Sequence, residues 1–474
     1  MDSPHPPAPI LPIAVENNGY QTPMEEAQGY FPQPSTSSAP ARFRPQISRL
    51  TSFLRRQEAD ATGNDLQAQP DTHPSLDELL HVSSRRPKSG IVSIRDRIAC
   101  YQWTFFTMAT GGMGSVLSSI PYRAAWVDGL GLAFVMLNLV LFILNCILIT
   151  MRFCMKPGSF TGSFTDQVES LFIPAFKSFT PVNSQSPNNI SNSIAIIIIN
   201  ICQYGIPKTG VWLLRVVEVL FWIYLSVSIL ASAVMYLTLW STLVFPIHMM
   251  TPTWVFPAYP MLLNGTMAAS IIGAASSTGN KLFSDALAVA LGGFTTQGTA
   301  CLIAFMISAA FIYRLMTQKL PRDFQRPGVF ISIGPFAFTV NGIVQLAIHA
   351  DFFIPQNFLG AEHAVSIIRI LAVLSGLWLW GLSFWFFLVS VGSLWKYVRP
   401  GSKMPFRMTW WSFVFPNSAL ITATQSLGTA LSNEGLKIFG CVMAGVLLVV
   451  WLFVFVTMLR CLKNRELLWP KDDL

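Results

Sequence analysis

From residue 98 onward the chain is a series of apolar runs separated by short polar loops. The runs fall near 98–120, 127–151, 169–202, 212–240, 253–275, 284–313, 327–350, 364–395, 409–430 and 435–459. Most reach the roughly 20 residues that a helix needs to cross a bilayer. Inside hydrocarbon every backbone N–H and C=O has to be satisfied within the protein, which a helix does for itself. The pattern predicts an all-α integral membrane protein with ten transmembrane helices. Composition agrees: 52% of residues are hydrophobic and 11% charged, with a mean hydropathy of +0.50, where a soluble chain carries about a quarter charged residues.

The net charge of +8 resembles a nucleic-acid signature until the basic residues are placed. They sit in the short loops, so the expectation is no nucleic-acid partner and a charge that orients the chain in lipid. With ten spans both termini share one side. That side carries 19 Lys and Arg near the span ends, against five on the other (Arg123, Lys208, Arg215, Lys281 and Lys437). Both termini are therefore expected in the cytosol, and the C-terminal KDDL is then not displayed to a luminal receptor. Residues 1–94 read as a disordered cytosolic tail rich in Pro, Ser, Gln and Asp, 95–463 as the membrane domain and 464–474 as a short cytosolic end. Within the tail, ISRLTSFLRR (47–56) has the makings of a short basic amphipathic helix. The N-terminus lacks the basic-then-apolar order of a signal peptide.

A proline recurs early in the odd-numbered spans: FIPAF (172–176), VFPAYP (255–260), IGPFAFT (333–339) and VFPNSALIT (414–422). Pro174, Pro257, Pro335 and Pro416 stand 83, 78 and 81 residues apart, as a repeated helical hairpin requires. The first span has glycines at similar depth, Gly111 and Gly112 among them. A proline inside a helix frees backbone groups that lipid cannot satisfy. The prolines are therefore expected as helix kinks in pore-lining odd helices around a central cavity, with the longer, more uniform even helices facing lipid.

The third span departs from this plan. About 16 polar residues, 178–193, interrupt it and cannot lie in hydrocarbon. The segment reads either as a retained short intron or gene-model error, or as a genuine insertion looping out of a broken helix.

No catalytic constellation, metal-ligand spacing or phosphate-binding loop stands out, so neither an enzyme nor a cofactor is expected. The seven cysteines support no disulfide framework or zinc site. Ionisable groups near spans are few. Arg215 and Glu218 are placed to pair on one face of a helix, and Arg369 to snorkel to the interface. Asp166 and Glu169 enter the third span as N-terminal caps or proton contacts. Lys177 is placed to attract an anion. A cavity lined by Gly, Ser, Thr, Asn and aromatic residues with almost no fixed acids suits anions, its neutral donors letting them enter without trapping them. Phe415, just before Pro416, is then either a hydrophobic plug across the pore or a core aromatic.

The segments WTFFTMATGGMGSVLSSIPYR, MTPTWVFPAYPMLLNGT, AFIYRLMTQKLPRDFQRPGVFISIGPFAFT and WWSFVFPNSALITATQSLG resemble the tellurite-resistance/dicarboxylate transporter family, and its fungal malic acid transport branch in particular. The resemblance covers roughly residues 95–470. It implies five helical hairpins in quasi-fivefold arrangement around a central pore, assembled as a homotrimer, with a ninth-helix phenylalanine, here Phe415, as pore gate. It further implies proton-linked or channel-like passage of malate, succinate or related dicarboxylates, and a related branch exports sulfite. The lead into the third span departs from the fungal pattern, with Asp166-Gln167 where a His-Pro pair is more usual. The expected function is a plasma-membrane carrier or channel for small organic anions, malate and other C4-dicarboxylates first. A sulfite or other metabolite-anion exporter and a non-transporting sensor or scaffold remain alternatives.

Overall fold

The computed structural model describes residues 104–155, 191–242, 247, 250–321, 323–355, 357–398, 404 and 406–464. The tail 1–94, the ISRLTSFLRR segment, most of the polar segment 178–193 and nearly all of 464–474 lie outside the described residues.

Among the described residues the secondary structure is entirely helical. In chain order the helices are α1 (Thr104–Ser119), α2 (Ala125–Met155), α3 (Ser191–Asn200) and α4 (Val211–Thr242), then α5 (Tyr259–Thr278) and α6 (Ala286–Gln318). There follow α7 (Gly334–Ile348), α8 (Ala364–Ser393), α9 (Phe415–Ala430) and α10 (Glu434–Lys463). A π-turn (Ile201–Gly205) and one further turn (Ile206–Thr209) extend α3. Among the described residues seven stretches are long and apolar enough to cross a membrane: those at α2, α4, α6, α8 and α10, and the two that join α5 and α7 to the 3₁₀ segments before them.

Burial divides these stretches into two kinds. The α5 and α7 stretches are 94% and 83% buried in the protein, whereas those of α2, α4, α6, α8 and α10 are 11–33% buried. Leu302, Trp378 and Val446 are among the apolar side chains the second group leaves exposed. Exposed apolar surface on this scale is stable only against lipid. The buried helices close on themselves: α1 packs on α3, α3 on α5, α5 on α7, α7 on α9, and α9 back on α1.

The prolines mark the passage from 3₁₀ segment to α-helix. Pro257 lies in a 3₁₀ segment (Pro252–Ala258) that runs into α5, and Pro335 and Pro416 occupy the first turns of α7 and α9. There the N–H has no intrahelical partner in any case, so proline costs no hydrogen bond. Pro335 and Pro416 thus stand at the starts of α7 and α9, and Pro257 inside the 3₁₀ turn that leads into α5.

Polar side chains bind the outer helices to the inner ones. Gln297 of α6 is fully buried and donates from Nε2 to the carbonyls of Leu262 (2.6 Å) on α5 and Phe338 (2.9 Å) on α7. Gly265 and Gly342 make room for it: a Cβ at either would fall 1.9 or 2.1 Å from Gln297 Oε1. Asn264 donates to Ser228 on α4 (2.9 Å) and Thr296 on α6 (3.0 Å), and Trp380 of α8 to Thr424 of α9 (2.9 Å). Such interhelical bonds average about 0.6 kcal/mol in membrane proteins, so they specify registry more than they add stability.

Glu218 does not pair with Arg215. Its buried carboxylate accepts from the Phe283 backbone N–H (2.9 Å) and from the N–H and hydroxyl of Ser284. It thereby anchors the loop that leads to Asp285, whose side chain caps α6 by accepting from the Leu287 N–H (3.1 Å). That loop leaves α5 through Gly279 at φ +69°, where a side chain would be strained.

Candidate functional site: a central polar cavity

A cavity of about 740 Å³ is lined by residues of α1, α3 with its extension, α5, α7 and α9. It runs from the first turns of α7 and α9, at Phe338 and Phe415, to the far ends of α1, α5 and α7, at Arg123, Thr278 and His349. Among the described residues no acidic side chain lines it.

Phe415 opens α9 and is 1% exposed. Its ring lies 5.3 Å from that of Phe338 and 6.1 Å from that of Tyr259, so three rings from three helices meet at one end of the cavity. Tyr259 is fixed there by donating to the Ile331 carbonyl (3.1 Å). Gly112 faces the same point: a Cβ on it would stand 2.6 Å from Ser418 Oγ and 3.8 Å from the Phe415 ring. The missing side chain lets α1 approach α9 at the level of the rings. Gly111 serves the neighbouring contact, where a Cβ would meet Asn138 of α2 and Ile196 of α3 at 2.6 Å.

Gly112 and Phe415 thus line the cavity, while Gly111, Pro257, Pro335 and Pro416 stand outside its lining. Pro174, Lys177, Asp166 and Glu169 lie outside the described residues.

The wall hydroxyls are engaged. Ser115 donates to Asn200 Oδ1 (3.0 Å) and Thr266 to the Phe338 carbonyl (3.3 Å). Ser270 donates to the Thr266 carbonyl (2.9 Å), Ser418 to that of Phe415 (2.6 Å) and Thr422 to that of Ala419 (2.9 Å). Ser118, Ser119, Ser277 and Thr278 likewise donate to carbonyls one turn back. Each of these hydroxyls therefore has a protein acceptor within reach. In a helix within an apolar setting a Ser or Thr proton finds the carbonyl at i−3 or i−4 first.

Three carboxamides join them. Asn341 and Gln345 stand four apart on one face of α7 and meet Ser426 of α9. Ser426 Oγ donates to Asn341 Oδ1 (2.7 Å), shares that hydrogen with the Thr422 carbonyl (2.9 Å) and accepts from Gln345 Nε2 (2.9 Å). Gln203 lies on the π-turn of α3, with its Oε1 enclosed and lacking a donor. Sequence reading passed over all three amides. The four-residue spacing of Asn341 and Gln345 in VNGIVQ was a usable signal, since it places both on one helix face.

Toward the far end, Arg123 Nε pairs with Asp128 (3.1 Å), both near half exposure. His349, at the end of α7, packs against Gly273. Burial first, then the Arg369 charge, holds its imidazole below the ordinary range. Arg369 caps α7, donating to the carbonyls of Ala347 (3.1 Å) and Ile348 (3.2 Å) and pairing with Asp351. It closes the end of α7 while its side chain and that of Asp351 stay partly exposed.

A ring of small-residue helices around a neutral polar cavity, with apolar helices outside, is the layout of a protein that passes small solutes across a bilayer. Comparison with known proteins agrees. Two proteins of Schizosaccharomyces pombe, a malic acid transport protein (25% identical) and a putative malic acid transport protein (26%), each align over 84% of this chain and 85% and 87% of their own lengths. A sulfite efflux pump of Candida albicans is 23% identical over 76% of this chain and 74% of its own. The family model for the voltage-dependent anion channel matches residues 101–459. That match takes in the whole central cavity, and the chain belongs to the voltage-dependent anion channel family of membrane proteins.

Proposed function

We propose that this protein is a carrier or channel for small organic anions, malate and other C4-dicarboxylates such as succinate foremost, moving through the central cavity with Phe415 as its gate. The observation that carries the reading is the cavity itself: lined largely by small and neutral polar residues, free of acidic side chains among the described residues, and ended by the rings of Phe415, Phe338 and Tyr259. An anion entering such a space meets no like charge and no deep cationic trap, as flux requires. The two relatives named for malic acid transport favour malate among small anions.

The same reading arranges the ten spans as five helical hairpins with quasi-fivefold symmetry, as a homotrimer in the plasma membrane, with both termini cytosolic. Asp166, Glu169 and Lys177 are its proposed contacts for protons or anions at the third span, so protons are a proposed coupling partner. The segment 178–193 is proposed as an artefact of gene structure.

The test is uptake of labelled malate and succinate by cells lacking their own dicarboxylate carriers. The chain is expressed as written and without residues 178–193, each at verified surface level. Uptake by the shortened form alone supports both the dicarboxylate reading and the artefact. Absence of uptake by either form sinks the dicarboxylate reading. The sulfite efflux relative supports a second reading, sulfite export, read out as sulfite sensitivity of a deletion strain. If no anion moves at all, the sensor or scaffold reading takes over.

A further inference from the structure

Behind the cavity wall, between α6 and α8, lies a second groove of about 260 Å³. Its floor is Ile343, Leu346 and Ala347 of α7. Asn341, Gln345 and His349, spaced by four, line the central cavity from the opposite face of the same helix. One inner helix therefore separates a polar space from an apolar one. Every residue lining the groove is apolar except Ser375, and the Ser375 hydroxyl donates to the Leu371 carbonyl. The groove offers nothing to a polar ligand.

What fills it follows from where it opens. Leu291 and Phe294 of α6 and Leu371 of α8 line it and are 47%, 53% and 58% exposed. The groove is thus continuous with the faces that α6 and α8 turn to lipid, and hydrocarbon is the medium at its mouth. Its dimensions narrow the class. The lining residues span 287–294 on α6 and 368–375 on α8, each a rise of about 10 Å. That carries the groove from the helix ends roughly a third of the way into a hydrocarbon core about 30 Å thick. Its volume falls below the roughly 300–1,000 Å³ of sites for compact drug-sized molecules, as suits a slender chain.

The outer end of the groove has a cation. Arg369 reaches from α8 to the carbonyls of Ala347 (3.1 Å) and Ile348 (3.2 Å), so it crosses the rim where Ala347 lines the floor. Its side chain is 42% exposed and that of its partner Asp351 is 70% exposed. An arginine at a helix end beside an apolar slot is suited to a lipid phosphate, to which a guanidinium donates in pairs.

We infer that the groove between α6 and α8 holds one acyl chain of a membrane phospholipid, with its methylenes against α7 and its phosphate at Arg369. The chain backs the wall of the central cavity. The inference goes beyond the anion-transport reading and does not depend on it.

The experiment uses the full-length protein, purified and placed in nanodiscs of phosphatidylcholine doped with a phosphatidylcholine that carries a photoreactive diazirine in one acyl chain. After illumination the labelled residues are mapped by mass spectrometry. Ile343 and Leu346 are the discriminating sites, since they belong to a stretch that is 83% buried in the protein. Leu302 of α6 and Val446 of α10, both exposed, report the surrounding lipid. Ile343 and Leu346 are expected to label at least as heavily as Leu302. Ala372→Phe and Ser375→Phe each fill the groove from α8. Each is expected to cut labelling of α7 at least about tenfold, as the loss of two buried methylenes would, and to leave Leu302 unchanged. Asp351→Asn removes the carboxylate that competes for Arg369 and is expected to raise labelling of α7 about two- to fivefold, the worth of an exposed ion pair.

Ile343 and Leu346 left unlabelled while Leu302 labels would overturn the site. So would labelling of α7 that survives in both phenylalanine variants, each eluting as a single species. Unchanged labelling in Asp351→Asn overturns the placement of the phosphate at Arg369. An unlabelled α7 together with a smaller oligomer in Ala372→Phe assigns the groove to a second copy of this chain and overturns the lipid.

Discussion

Replacing Phe415 by alanine is the most direct perturbation of the proposed gate. The ring is 1% exposed and makes two aromatic contacts, with Phe338 at 5.3 Å and Tyr259 at 6.1 Å. For an anion to pass, the ring has to leave both. Aromatic pairs contribute about 0.5–1.5 kcal/mol each beyond burial, so moving the ring away costs at least about 1–3 kcal/mol. At about 1.36 kcal/mol per decade, a Phe415→Ala protein lacking that step should pass anions roughly 5- to 150-fold faster. Truncating a buried phenylalanine also costs about 3–5 kcal/mol of stability in a soluble core, so the protein must be compared at equal surface density. The assay is anion efflux from proteoliposomes or whole-cell anion current, normalised to incorporated protein. Phe415→Tyr keeps the ring and should stay near parent flux. Phe336→Ala, which removes a buried α7 ring stacked on Phe386 at 5.9 Å and outside the cavity lining, should lose stability without gaining flux. Unchanged flux in Phe415→Ala, or an equal gain in Phe336→Ala, refutes the gate.

Two more consequences follow from named contacts. His349 is held neutral by burial and by Arg369, so it gains its charge at a pH below the ordinary imidazole value of about 6.5. Its folded pKa is depressed, so the stability it contributes is present above about pH 6.5 and lost as pH falls through the lowered value. The new cation at the end of the cavity should raise flux of a permanently charged anion such as methanesulfonate in acid, and His349→Gln should abolish that rise; a rise that persists in the variant refutes the assignment. In the scaffold, Gly342→Ala drives a methyl into Gln297 Oε1, and Gln297→Ala removes the amide that ties the Leu262 carbonyl of α5 to the Phe338 carbonyl of α7. Each should cost about 1–3 kcal/mol, read as a lower unfolding temperature in detergent, and parent-like stability in both would show that the Gln297 key is dispensable.

The architecture was largely legible in the chain because lipid tolerates so few solutions. Run length and composition are enough to name helices, and the small-residue, proline-marked runs at 253–275 and 327–350 are indeed the buried ones. Pro257, Pro335 and Pro416 mark inner helices as expected, and each stands where a 3₁₀ segment passes into an α-helix. Sequence cannot show whether a proline falls inside a helix or in its first turn, and that hinges on where the 3₁₀ segments hand over to α5, α7 and α9. Glu218 illustrates the same limit: Arg215 is three residues away, yet the carboxylate is taken by a loop 65 residues further on.

The cavity chemistry lay furthest from view. The chain by itself determined that the wall would be rich in Ser, Thr and Asn and poor in acids, since helical faces can be counted from residue spacing. Only the tertiary structure decided which partners those groups meet. A wall hydroxyl meets a carbonyl three or four residues back in its own helix, and Asn341 meets Ser426, 85 residues away in the chain. Which side chains meet across the wall depends on such long-range partners, so residue spacing gives its composition and the tertiary structure gives its contacts.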